Sequence, residues 1–234
     1  MPTIFITGAS SGLGKATAKL SAVRGWNVIA TMRHPEHETE LPQLPGIHLP
    51  PLDVTDPAQV AQTVQRAIAL HPVDVVFNNA GYGLIDALEA TSDEQLTQLL
   101  NTNLLGGIRV TKAFPPHLRA NRSSRILSTT SMEGFMTFPL CSIYHAAKWA
   151  VKGWSESISS ELALHNISIK TISPGGTATD FTSRSLQLAE HAAYAGLLQQ
   201  LMAAQEGMQF APAETIASSS LEENKATSGP RVST

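Results

Sequence analysis

The chain has 234 residues, of which 42% are hydrophobic and 15% charged, with a formal net charge of −3. That length can bury the core of one α/β domain, and the apolar content excludes a disordered chain. The small acidic excess excludes electrostatic attraction to nucleic acid or anionic lipid as a driving force. The lone cysteine, Cys141, rules out an internal disulfide framework and a cysteine-built zinc site, and no metal centre is expected. It reads as a small buried hydrophobe in a reducing cytosol. No basic n-region with an apolar h-region opens the sequence, and no uninterrupted apolar run reaches about 18 residues. The expectation is a soluble, cytoplasmic protein that neither spans a membrane nor binds nucleic acid.

Strands and helices alternate along the chain. The β-branched run "TIFIT" (3–7) is followed by a helical stripe at Leu13, Ala16, Leu20 and Val23 that stops at Gly25. "NVIATM" (27–32) reads as the next strand. "IHLPPLDV" (47–54) contains another, which two prolines confine to one end. A helix is expected over about 57–71, with proline in its first turn. "VDVVFN" (73–78) is apolar apart from Asp74 and Asn78, as for a strand covered on both faces. Ser92 and Gln95 form a capping box before a further helix. "RILSTTS" (125–131), a long helix over 142–165 and "ISIKTIS" (167–173) complete the alternation. The pattern predicts a single α/β domain, a doubly wound parallel sheet of the Rossmann type, with its ligand at the carboxyl ends of the strands. The apolar stretch 181–210 is expected to form a helical substrate lid.

Three places carry chemistry. In "TGASSGLG" (7–14), Gly8, Gly12 and Gly14 stand between a strand and a helix, where backbone amides and the helix dipole suit a pyrophosphate. Ser10 and Ser11 add hydroxyl donors. The spacing alone leaves open a glycine-rich turn without a ligand. At the end of the second strand, an NAD site would place a carboxylate for the ribose 2′-hydroxyl, but this sequence has Arg33. Its fork of donors suits a 2′-phosphate and points to NADP(H); a solvated loop arginine is the plain alternative. Finally, Tyr144 and Lys148 lie four residues apart, on one helix face, where an ammonium would lower the phenol pKa and fit the tyrosine for proton transfer.

These motifs, together with "LDV" (52–54), "NNAG" (78–81), "NTNLLG" (101–106), Ser131 and "PGGTAT" (174–179), resemble the short-chain dehydrogenase/reductase family over roughly residues 3–180. The resemblance implies a catalytic set of Asn103, Ser131, Tyr144 and Lys148. Tyr144 would be the acid/base, Lys148 would bind the nicotinamide ribose, Ser131 would hold the substrate oxygen, and Asn103 would hold a water in the proton relay. It also implies that Gly8, Ser10, Ser11, Gly12, Leu13 and Gly14 surround the pyrophosphate. Asp53 and Val54 would lie near the adenine, and Asn79, Ala80 and Gly81 beneath the cofactor. Pro174, Gly175, Thr177 and Thr179 would fix the nicotinamide carboxamide. The implied activity is NADP(H)-dependent interconversion of a carbonyl compound and a secondary alcohol, in a homodimer or homotetramer. A cofactor-binding sensor with little turnover is the alternative.

Two features depart from that family pattern. His145 follows the tyrosine and, being adjacent to it on a helix, is expected to face away from the site. The tail "APAETIASSSLEENKATSGPRVST" begins like a final helix but offers no evident last strand. Met132, Phe135, Met136, Phe138 and Leu140, with Phe181, Leu186, Leu197, Met202, Met208 and Phe210, are candidates to line a hydrophobic substrate pocket.

Overall fold

The computed structural model describes residues 1–121, 124–175, 177–178, 186–188, 191–205 and 210–222. The first half alternates β1 (Thr3–Thr7), α1 (Gly12–Val23), β2 (Asn27–Thr31), β3 (Ile47–His48), α2 (Pro57–Leu70) and β4 (Val75–Asn78). A short β5 (Gly83–Ile85) leads to α3 (Asp93–Leu100), α4 (Gly107–Ala113) and α5 (Pro115–Leu118). Then follow β6 (Ser124–Thr129), α6 (Ser142–Ala163) and β7 (Ile167–Ile172). Short strands β8 (Thr177–Ala178) and β9 (Leu186–Leu188), helix α7 (Ala195–Gln205), β10 (Ala211–Pro212) and α8 (Ala213–Glu222) complete the described chain.

Six strands form one sheet in the order β3-β2-β1-β4-β6-β7. Every pairing is parallel, and the registers align the carboxyl ends. Thr7 faces Thr31, Ile6 faces Phe77, Asn78 faces Ser128, and Thr129 faces Ile172. The chain winds outward from β1 in one direction and from β4 in the other. Their carboxyl ends therefore flank a switch-point crevice, as in doubly wound folds. The two prolines shorten β3 as expected: Ile47 and His48 pair with Val28 and Ile29, and only a single bridge joins Met32 to Pro51.

All five residues of β1 are buried, because helices cover both sheet faces. Ile4 and Ile6 pack with Ala18 and Ala22 of α1 and with Ala217 and Leu221 of α8. Phe5, Ile29, Val76 and Ile126 pack on the other face with Val60 and Val64 of α2 and with Phe114. The Phe5 and Phe114 rings meet edge-on with centroids 5.1 Å apart. The final helix is thus present as α8, and Arg24 donates to Ser218 across its contact with α1 at 3.1 Å. No seventh strand joins the main sheet among the described residues.

A roof lies over the strand ends. β9 pairs in parallel with β5, Gly83 facing Leu186, and α7 follows it. Residues 181–185, 189–190 and 206–209, which include the pocket candidates Phe181 and Met208, lie outside the described residues. No described helix is long and apolar enough to cross a membrane.

Candidate active site

The loop after β1 is locked to the loop after β4. The Thr7 hydroxyl accepts the backbone N–H of Asn79 at 3.0 Å and of Ala80 at 3.1 Å. The Asn79 amide in turn donates to the carbonyls of Thr7 (3.2 Å) and Gly8 (3.1 Å). This stitching leaves no room for side chains between the loops. A Cβ on Gly8 would lie 2.7 Å from Ala80 Cα, and one on Gly14 would lie 2.5 Å from Asn79 Nδ2. Gly8 and Gly12 also take positive φ, 67° and 54°. Ser11 occupies the N-cap of α1, but its hydroxyl makes no capping bond, so the first-turn amides remain for an external acceptor.

That helix end opens into a cavity of about 1240 Å³ at the switch point, more than a drug-sized ligand needs. Gly8, Ser10, Ser11, Gly12 and Leu13 line one end, Asp53 and Val54 lie beside them, and Asn79, Ala80 and Gly81 form the floor. Gly14 sits behind the floor against Asn79. Pro174 and Gly175 line the far end, where the Pro174 carbonyl accepts Met132 N–H at 2.9 Å. Thr177 lies in β8, paired with Ala211, and Thr179 lies outside the described residues.

Arg33 is exposed on the rim, with no ion-pair partner among the described residues. The nearby lysines differ. Lys15 contacts Glu38 at 3.0 Å and Glu40 at 2.7 Å, and Lys19 also contacts Glu40. These lysines hold the Glu40 carboxyl down at about 2. Asp53 is committed locally, accepting the Thr55 N–H at 2.8 Å and its hydroxyl at 2.7 Å. The donor set therefore fits a nucleotide phosphate: open helix amides, serine hydroxyls, a floor that admits backbone approach, and one uncommitted guanidinium.

Ser131, Tyr144 and Lys148 converge on the same cavity. Ser131 ends the segment after β6, and its hydroxyl accepts the Glu133 N–H at 3.2 Å. Lys148 Nζ lies 5.4 Å from the Tyr144 ring centre and donates to the Thr129 carbonyl at 3.1 Å. Burial depresses the Lys148 pKa to about 8. The Tyr144 phenol goes the other way: burial raises its pKa, Glu133 adds to the rise, and the Ser131 hydrogen bond only partly offsets it. Burial and Glu133, rather than the expected lowering by Lys148, therefore govern the phenol. Asn103 lies in a π-turn (Asn101–Gly106) between α3 and α4. Its amide donates to the Tyr82 carbonyl at 2.7 Å and accepts the Tyr82 N–H at 3.0 Å, behind Gly81 and outside the cavity wall.

His145 stays out of the cavity lining, as expected of the residue next to Tyr144. It is buried, and its ring fastens the segment after Ser131 onto α6. Nδ1 lies 2.9 Å from the Glu133 carbonyl, and Nε2 accepts Phe138 N–H at 2.8 Å. Neighbouring helix positions are both buried here because the 131–138 segment covers α6 on the side next to Tyr144. Of the five pocket candidates between Ser131 and Tyr144, Met132 and Phe138 line the cavity. Phe135 and Met136 are exposed, and Leu140 packs into a small cluster with Ile85 and Cys141. In the roof, Leu186, Leu201, Met202 and Phe210 line the cavity, while Leu197 does not. Cys141 is buried and its thiol is pushed up to about 12 by burial, so it is inert. Glu133, Cys141 and His145 bring ligand-type atoms within 4.8 Å of one another, but both ring nitrogens of His145 are already engaged. Glu133 also lines the cavity. Sequence reasoning passed over it, although a carboxylate two residues from Ser131 in an otherwise apolar run was a visible signal.

A doubly wound parallel sheet with a nucleotide-sized cavity at its switch point defines a dinucleotide-binding fold. The family model for short chain dehydrogenase matches residues 2–189. An oxidoreductase of Botryotinia fuckeliana (strain B05.10) is 39% identical over 188 residues, 79% of this chain and 69% of that protein. A short-chain dehydrogenase from Streptomyces avermitilis superimposes with a TM-score of 0.88 at 29% identity, covering 98% of this chain and 86% of that one. An alcohol dehydrogenase from the archaeon Thermococcus sibiricus, complexed with 5-hydroxy-NADP, gives 0.80 at 25% identity, over 97% and 92% of the two chains. The chain belongs to the short-chain dehydrogenase family and is an oxidoreductase of that family.

Proposed function

We propose that this protein interconverts a carbonyl compound and a secondary alcohol, using NADP(H), with Tyr144 as acid/base. The observation that carries the reading is the convergence of Ser131, Tyr144 and Lys148 on one cavity with the open N-terminus of α1. The phosphates would rest on the α1 amides and the serines, and Arg33 would take the 2′-phosphate. The nicotinamide, when bound, supplies or accepts the hydride.

The chain's own residues handle the proton. In the reductive direction the Tyr144 phenol donates its proton to the substrate oxygen, and its raised pKa keeps that proton available at neutral pH. Ser131 donates a hydrogen bond to the same oxygen as charge develops on it. Lys148, anchored at the Thr129 carbonyl and near 8, can pass a proton back to the phenolate close to neutral pH. The apolar wall of Phe138, Leu186, Leu201 and Met202 excludes water and favours a hydrophobic substrate. The choice of NADP(H) rests on Arg33, because solved neighbours are complexed with NAD as well as with 5-hydroxy-NADP.

The test is a panel of hydrophobic ketones, aldehydes and secondary alcohols followed by NADPH and NADH absorbance. Tyr144→Phe is expected to lower kcat by about 10²–10⁴, and unchanged turnover would sink the mechanism. Arg33→Ala is expected to raise the KM for NADPH about tenfold or more while leaving that for NADH near its starting value. A preference for NADH already present in the unaltered enzyme would refute the cofactor assignment.

A further inference from the structure

Within the cavity wall, Glu133 is the carboxylate beside the reacting groups. It lines the cavity in the short turn Met132–Gly134, directly after Ser131. Its oxygen Oε2 is buried and has no hydrogen-bond partner. The groups that face it come from the α6 helix and the residue before it. Tyr144 and Cys141 feel its negative charge, and His145 and Lys148 are the nearby bases. Neither base satisfies it. His145 Nδ1 is 3.9 Å from Oε2 and is directed to the backbone carbonyl of Glu133 instead, and Lys148 Nζ is anchored on Thr129.

An unpartnered buried carboxylate oxygen is unfavourable. Here it also works against the neighbouring chemistry, because a negative charge beside Tyr144 disfavours the phenolate. Oε2 itself is closed to the cavity, but a cation that pairs with the part of the Glu133 side chain lining the cavity would offset the negative charge beside Tyr144. Beyond Glu133 the wall turns apolar, through Phe138, Leu186, Leu201, Met202 and Phe210. The site thus presents, in order, a proton donor for the reacting oxygen, an anionic acceptor next to it, and an oily channel.

We propose that Glu133 is the polar anchor of the substrate, and that the enzyme acts on amphiphilic amino ketones or amino alcohols with a protonated amine one or two carbons from the reacting carbon and an apolar chain beyond. This rests on the oxidoreductase reading above and names its substrate class. The ammonium donates to Glu133, the reacting oxygen meets Ser131 and Tyr144, and the chain lies under the roof. With Glu133 paired, the electrostatic opposition to the Tyr144 phenolate is removed only in the complex with the right substrate.

The test compares three chain-matched secondary alcohols in the oxidative direction at neutral pH: 1-amino-2-decanol, its neutral isostere 3-undecanol, and 3-hydroxyundecanoate. The unaltered enzyme is expected to favour the amino alcohol over 3-undecanol in kcat/KM by about 10- to 100-fold, as a charge-assisted hydrogen bond in a low-dielectric site provides. In Glu133→Gln that ratio should fall towards one, and Glu133→Lys should turn the preference to the hydroxy acid. A second measurement does not depend on turnover. Calorimetric titration with nonylammonium should show binding to the unaltered protein that weakens about tenfold or more in Glu133→Gln. If either variant fails to fold, Glu133→Asp serves instead, with a reduced but surviving ratio expected. Equal use of the amino and neutral alcohols by the unaltered enzyme, or a nonylammonium affinity that ignores residue 133, overturns the proposal. Turnover that survives Tyr144→Phe, or oxidation of none of the alcohols, would defeat the mechanism instead, and the nonylammonium titration would still decide the role of Glu133.

Discussion

Lys148 gives the protein a stability that should rise as the solution becomes alkaline, against the usual trend for proteins. Its ordinary pKa of 10.5 falls to about 8 in the folded chain because burial penalises the ammonium. Between those two values the unfolded chain binds more protons than the folded one, so the free energy of unfolding increases with pH. From pH 8 to pH 10 this amounts to about 2 kcal/mol. Cys141 opposes it. Its thiol moves from 9.0 to about 12, so the folded state keeps a proton that the unfolded state loses, and stability falls by about 1 kcal/mol over the same interval. These two groups together give a net gain of about 1 kcal/mol, which the raised Tyr144 phenol reduces further. The two contributions separate by substitution. Cys141→Ala should gain about 2 kcal/mol from pH 8 to pH 10, whereas Lys148→Met should lose about 1 kcal/mol. Urea unfolding followed by circular dichroism at half-unit pH steps measures all three curves. A Lys148→Met curve that climbs as steeply as that of the unaltered protein would refute the reasoning, since no buried ammonium would then be responsible.

Other perturbations have outcomes of comparable sharpness. Thr7→Val keeps the shape but removes the acceptor for the Asn79 and Ala80 amides. It should cost about 2–4 kcal/mol in urea unfolding, and a loss under 1 kcal/mol would mean that water replaces the hydroxyl. Gly14→Ala forces a Cβ against Asn79 and the Gly8 carbonyl, so thermal unfolding should occur several degrees lower and NADPH titration should show no binding. Retained NADPH affinity would show that the loop can rearrange. Ser92→Ala breaks a complete capping box at the start of α3, with Gln95 N–H 3.2 Å from the serine hydroxyl, and should cost about 1 kcal/mol without changing KM for the cofactor.

Much of this was legible in the sequence because local chemistry and fold agreed. The apolar run 75–77 reads as part of a strand covered on both faces, and the prolines at 50 and 51 stopped β3 where expected. The strand ends were placed by the Rossmann pattern, and with them the residues around the cavity. What periodicity could not reveal was contact between segments distant from the main sheet. The β5–β9 pair involves three residues on each side, with no pattern of its own. Helix geometry kept His145 off the cavity, but it does not say how many faces are covered, so the burial of that ring was not legible. The state of Tyr144 was misread for a related reason. The i, i+4 spacing brings Lys148 near, but it reports neither burial nor the carboxylate of Glu133, and those two dominate.

Thr7 and Asn79 tie the nucleotide floor to the centre of the sheet, whereas the roof hangs on a three-residue strand pair and one helix. These parts belong to different cooperative units. Amides of the floor should exchange hydrogen only through global unfolding, and those of β9 and α7 through much smaller local openings. Access to the cavity would then depend on the less firmly tied of the two parts, while the surface offered to a dinucleotide would move only with the whole domain.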